Sequence, residues 1–166
     1  KHFFSYRYDY REEWLRFTQT LSAQGGFTGM GRHVVRGLAD MVESPSGALW
    51  LKDPSGRFFA QAAFWNMPAS PATEDVGSPL CRFLLDSGWV INLEEYRSLP
   101  RRYDGLELPS WLVEVPNAWL VVPLTTGSEL IAFVVLATAR TRIDVNWEVN
   151  DLLKTAARQA GAFLGQ

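Results

Sequence analysis

Between Ala118 and Arg140 the chain carries two long apolar runs, Trp119-Leu120-Val121-Val122-Pro123-Leu124 and Leu130-Ile131-Ala132-Phe133-Val134-Val135-Leu136. The turn Thr125-Thr126-Gly127-Ser128 separates them, which predicts a β-hairpin. Both runs are apolar at successive positions rather than at alternate ones. A strand of that kind has to be covered on both faces, so the hairpin belongs in the middle of a sheet with a layer on either side. A helix pattern from Val145 to Gln166, with Asn146 as its candidate cap, closes the chain and supplies one covering element.

The remaining segments add the other layers. Trp14, Phe17 and Leu21 recur at helical spacing behind Asp9, and Gly25-Gly26 ends that lead-in helix. Lys1 to Tyr10 alternates aromatic and polar residues and reads as extended. A second helix is predicted over Gly29 to Val42, capped by Thr28, with Met30, Val34, Leu38, Met41 and Val42 as its buried stripe. Ala48 to Lys52 and Phe58 to Trp65 read as strands around Asp53-Pro54-Ser55-Gly56, and Met67 to Val76 as a surface loop. Ser78-Pro79 opens a third helix that stops at Gly88. Trp89-Val90-Ile91 is a short strand, Leu93 to Arg97 a helical turn, and Tyr103 to Pro116 irregular. Consecutive strands joined by tight turns make an antiparallel sheet, and the fold class is α+β.

At 166 residues the chain is long enough for one domain with one good core. Net charge is −2 and no basic block occurs, so nucleic-acid binding has no electrostatic support. The single cysteine, Cys81, excludes an internal disulfide and fits a reducing compartment. No apolar run reaches the roughly 18–20 residues of a membrane span. The chain starts at Lys1 without a secretory leader, as a piece excised from a longer protein would.

The element order, with Val122-Pro123-Leu124 ending one strand and Leu130-Ile131-Ala132-Phe133-Val134-Val135-Leu136 forming the next, resembles a GAF domain over roughly residues 29–166, with 1–28 as linker and lead-in helix. More specific runs resemble one subfamily. They are Tyr8-Asp9-Tyr10-Arg11-Glu12-Glu13-Trp14, Glu43-Ser44-Pro45-Ser46-Gly47-Ala48-Leu49-Trp50-Leu51, Ser87-Gly88-Trp89-Val90-Ile91 and Leu152-Leu153-Lys154-Thr155. Together they are similar to the GAF region of membrane-bound sensor histidine kinases that accompany PEP-CTERM/exosortase systems in Gram-negative bacteria. The resemblance implies a regulatory module of a two-component kinase, cytoplasmic in a protein of the inner membrane. It would relay a small-molecule or membrane-domain signal through its terminal helices, working with a second copy of itself and with the kinase and membrane domains of its own chain. The alternative within the same fold is a ligandless dimerisation spacer. The chain itself is not expected to be an enzyme. His33 is followed by Val34-Val35-Arg36-Gly37, unlike a phosphoacceptor site, and no Gly-rich nucleotide loop occurs.

Two sites are expected. Val149, Leu153, Ala156, Ala160 and Phe163 follow a four-three spacing and form a heptad seam on the last helix. It serves either as a signalling and dimer contact or as the face that packs on the sheet. The GAF resemblance also implies a roofed pocket on one sheet face. Trp65, Phe83, Trp89, Tyr103, Trp111 and Trp119 would line it, with Arg82 or Arg101 as polar anchor. The alternative is that these rings fill the space themselves. Cys81 reads as a small buried residue and His33 as part of a solvated face. No catalytic residue, metal site or cofactor is expected, since no His/Cys/Asp cluster has ligand spacing.

Overall fold

The computed structural model describes residues 27–164, the side chains of Phe27, Thr28 and Phe163 excepted. The expected lead-in helix and extended N-terminal segment lie outside the described residues. The chain runs α1 (Phe27–Met41), β1 (Gly47–Lys52), β2 (Phe58–Trp65), β3 (Thr73–Asp75), α2 (Pro79–Ser87), β4 (Ile91–Asn92) and α3 (Leu93–Ser98). A 3-10 turn (Pro100–Tyr103), α4 (Ser110–Val113), β5 (Ala118–Thr126), β6 (Glu129–Ala137) and α5 (Trp147–Leu164) follow. The strands form one sheet in the order β3-β2-β1-β6-β5-β4, with every pair antiparallel.

The apolar hairpin lies inside this sheet, as its composition requires. Thr126 pairs with Glu129 across Gly127, whose φ of 58° is a left-handed conformation that glycine adopts without strain. β6 sits between β5 and β1, with β1 paired along Ala132 to Leu136. β5 is less enclosed: β4 covers only Leu120 and Val121. Pro123 therefore falls where β5 is an edge, and a missing N–H is tolerated there.

Two cores follow from the two covered faces. On one face α1 and α5 pack through Val34, Leu38, Leu153, Ala156 and Ala160 onto Leu49, Leu120, Val122, Val134 and Leu136. On the other, the segments from Met67 to Val115 roof Trp50, Phe59, Val121, Phe133 and Val135. β6 feeds both, with Leu130, Phe133, Val135 and Ala137 under the roof and Ala132, Val134 and Leu136 under the helices, which is why it is apolar throughout. A register shift at Ile131 interrupts the alternation near its start.

Most local expectations hold. Ser78 caps α2 by accepting from the Cys81 N–H at 3.2 Å, with Pro79 at the first helical position and Gly88 left-handed at the end. Asn146 opens α5 by accepting from the Val149 N–H at 3.0 Å. Three differ. Met67 to Val76 contains β3, an edge strand that lacks an apolar pattern because only Glu74 of its three residues is buried. Tyr103 to Pro116 contains α4. Thr28 lies one residue inside α1 rather than before it.

Candidate functional site

The roof side of the sheet is built around stacked rings. Trp111, from α4, stacks on Trp50 of β1 with centroids 4.6 Å apart, and Trp50 lies over Phe133 of β6 at 5.9 Å and 3°. Phe59 tilts against Phe133 at 5.5 Å. The two indole N–H groups are satisfied. Trp50 Nε1 donates to the Ala72 carbonyl at 3.0 Å, and Trp111 Nε1 donates to Glu74 Oε1 at 2.7 Å. Glu74 is 7% exposed, so the indole offsets part of the cost of burying it.

A second aromatic group sits at the β4 end. Phe83 packs on Tyr103 and edge-on to Trp89, and Tyr103 packs on Tyr96. The Tyr103 hydroxyl accepts from the Asn92 N–H at 3.1 Å and donates to Glu95 Oε1 at 2.7 Å, while Glu95 pairs with Arg102 at 2.6 Å. Burial pushes the Tyr103 hydroxyl up to about 12. Cys81 is 1% exposed within the roof, and burial raises its thiol to about 11, against the lowering effect of its bond with Ser78. A thiol this far from ionising at neutral pH is not a nucleophile.

The expected pocket is not one cavity. Its centre is filled by Trp50, Trp111 and Phe133, and separate openings lie around it. A cleft of about 520 Å³ lies between Trp50, Gln61, the Met67–Ala72 segment and Trp111–Pro116. A groove of about 810 Å³ runs past Trp89, Asn92, Glu95 and Tyr103 to the start of α5 at Trp147. A shallow recess of about 390 Å³ lies beside Phe83, Tyr103 and Gly105. Of the eight residues expected to line one pocket, Trp111 reaches the first, Trp89 and Tyr103 the second, and Phe83 and Tyr103 the third. Arg82 and Arg101 are exposed and line none of these three.

Trp65 and Trp119 correct the sequence reading. Both lie on the helix face, where Trp65 carries the Arg36 guanidinium 5.4 Å over its ring. The cause is a register shift at each position. The pairing steps from Leu49↔Ala63 to Trp50↔Gln61, so Ala62 is an extra residue in β2. Another step, from Ala118↔Ala137 to Leu120↔Leu136, leaves Trp119 as the extra residue in β5. A bulge reverses which face the following alternation serves, and strict alternation would have placed both indoles under the roof.

The heptad seam is also placed. Val149, Leu153, Ala156 and Ala160 are at most 1% exposed, packed on the domain's own sheet and α1. That burial leaves these four no surface for a partner, so dimer contact through them is corrected; Phe163's side chain lies outside the described residues. Gly161 lies on the same side of α5. A Cβ there would run into the Thr125 backbone, so helix and strand touch main chain to main chain. Sequence reading missed Gln61, although its inward register beside Phe59 and opposite Trp50 is a readable signal. Among the described residues no group of three His, Cys, Asp or Glu residues is placed to hold a metal ion, and no helix is long and apolar enough to cross a membrane.

The sheet is six-stranded and antiparallel, with α1 and α5 on one face and a short-helix roof on the other. The profile of the GAF domain matches residues 30–164, and the chain belongs to that family. Among solved structures it is similar to the GAF domain of the Acinetobacter phosphoenolpyruvate-protein phosphotransferase. That match has 15% identity and a TM-score of 0.69, covering 93% of this chain and 91% of that one. The corresponding domain from Coxiella burnetii gives 15%, 0.70, 94% and 92%. The free methionine-R-sulfoxide reductase of Neisseria meningitidis, solved with its substrate, gives 14%, 0.66, 94% and 88%. At these identities the likeness establishes the fold alone. No curated protein sequence matches significantly. GAF domains are generally regulatory or sensory modules, and that general description applies to this chain.

Proposed function

We propose that this domain is the regulatory module of a membrane-bound sensor histidine kinase of the PEP-CTERM/exosortase-associated type, held on the cytoplasmic side of the inner membrane of a Gram-negative bacterium. It passes a small-molecule or membrane-domain signal to the kinase through α5. The observation that carries the relay is the contact of Gly161 with Thr125. Thr125 continues from Pro123 and Leu124, and Pro123 pairs with Phe133, whose ring lies under Trp50 and Trp111. A displacement of the roof rings therefore has a packed route to α5, with no side chain between strand and helix to absorb it. Self-association belongs to the same proposal. With the seam buried, it falls to the outward side of α5, where Asp151, Arg158 and Ala162 are exposed.

The test is autophosphorylation of the full-length protein with and without Gly161→Ala. The reading expects a changed rate, because the new methyl group must push α5 away from β5. An unchanged rate, or a full-length protein with no kinase region, overturns it.

A ligandless spacer of the same fold is the second reading, and the ring stack filling the centre of the roof favours it. Native mass spectrometry of protein from its own host separates the two. A retained small molecule supports the sensor, and an unliganded dimer the spacer.

A further inference from the structure

The cleft beside Trp50 and Trp111 contains one unmet hydrogen-bonding group. Gln61 Oε1 accepts from the Ser70 N–H at 2.9 Å, which fixes which end of the amide is which. The other end, Nε2, is buried and has no hydrogen-bond partner. A buried donor left unpaired costs about 1–3 kcal/mol, so its persistence calls for an explanation.

Its surroundings say what would satisfy it. Its lining is mostly apolar, with Trp111, Met67, Pro68, Pro71 and Pro116 around the fully buried Trp50. No lysine, arginine or histidine lines the cleft, while the Glu114 carboxylate does and Glu74 is held on the Trp111 indole. An aromatic and proline-lined wall suits a flat ring, a lone N–H donates to a carbonyl oxygen, and nearby carboxylates repel an anion. The segment Met67–Ala72 crosses the mouth as a strap. Two bonds tie it down, Ser70 N–H to Gln61 and Ala72 carbonyl to Trp50, and Gln61 therefore both holds the strap and presents the empty donor beneath it.

We infer that this cleft binds an uncharged planar aromatic or heteroaromatic molecule bearing a carbonyl acceptor. Its ring lies against Trp111, its carbonyl takes the Gln61 Nε2–H bond, and the strap lifts to admit it. The inference rests on the sensory reading above and names the ligand class for it.

Benzamide and benzoate are the probes, because they share the ring and differ in charge. The readout is the side-chain amide pair of Gln61 in a nitrogen–proton correlation spectrum of the 166-residue chain, assigned by its loss in Gln61→Leu. Benzamide is expected to shift that pair and the Trp50 and Trp111 indole signals along one saturable curve, and benzoate to leave them in place. Gln61→Glu keeps an acceptor for Ser70 but removes the donor, and should weaken benzamide about five-fold, the value of one lost hydrogen bond. A Gln61 pair unmoved by benzamide, or moved equally by benzoate, overturns the inference. The wild-type titration decides it even where a variant fails to fold. A shifted Gln61 pair with unchanged α5 backbone amides upholds the ligand class and overturns the relay. A Gly161→Ala effect on the kinase without any benzamide response overturns the ligand class alone.

Discussion

Gly161 is the residue on which helix and sheet meet most closely. Inside an exposed helix, Gly→Ala stabilises by roughly 1 kcal/mol. Here the added Cβ would meet the Thr125 carbonyl and its neighbouring main-chain atoms, which cannot rotate away. Gly161→Ala should therefore reverse the usual sign and lower stability by about 1–3 kcal/mol, measured as a reduced urea midpoint at unchanged slope. Cys81 and Tyr103 make a second residue-scale prediction. Both hold their protons in the folded state to higher pH than normal, the thiol to about 11 and the hydroxyl to about 12. Unfolding releases those protons, so their contribution is complete below about pH 9 and is lost as pH rises through 11 and 12. Stability should fall from pH 9 upward, and in Cys81→Ala the fall should begin about one unit later, near the ordinary tyrosine range. Urea titrations at stepped alkaline pH read both.

Among the elements, α5 carries a seam whose spacing alone fits two uses, pairing with a copy or packing on a sheet. The structure assigns Val149, Leu153, Ala156 and Ala160 to the second. Leu153→Glu would place a charge at a site with no exposure, and it should unfold the domain, with a loss of about 4 kcal/mol or more, rather than merely separate subunits. Circular dichroism distinguishes a folded monomer, which contradicts this packing, from an unfolded chain. The elements legible in sequence were those with local physical signatures. Ser78-Pro79 and Gly88 bounded α2, Asn146 opened α5, and the doubly apolar hairpin announced an interior position. β3 was not legible, since an edge strand with one buried residue has no period to read. The side assigned to Trp65 and Trp119 failed for a different reason. A bulge is set by how two strands fit together, and nothing in either strand alone marks Ala62 or Trp119 as the extra residue.

At the scale of the molecule, one sheet separates two cores, and β5 and β6 contribute to both. That arrangement lets a roof built from stacked rings and the packed helix α5 share the same strands. The roofed face was legible because its aromatics are numerous and the GAF pattern places short helices above them. Its division into a filled centre and separate openings was not, because it depends on which rings stack, as Trp111 does on Trp50. The central claim is that the roof and α5 are coupled through β6 and β5. It is tested most directly by backbone hydrogen exchange of α5 in Trp111→Phe. That change keeps a ring over Trp50 and removes the bond to Glu74. The account predicts altered protection both in the roof and in α5 around Gly161. Altered protection confined to the roof, with α5 exchanging as in the wild type, would contradict it.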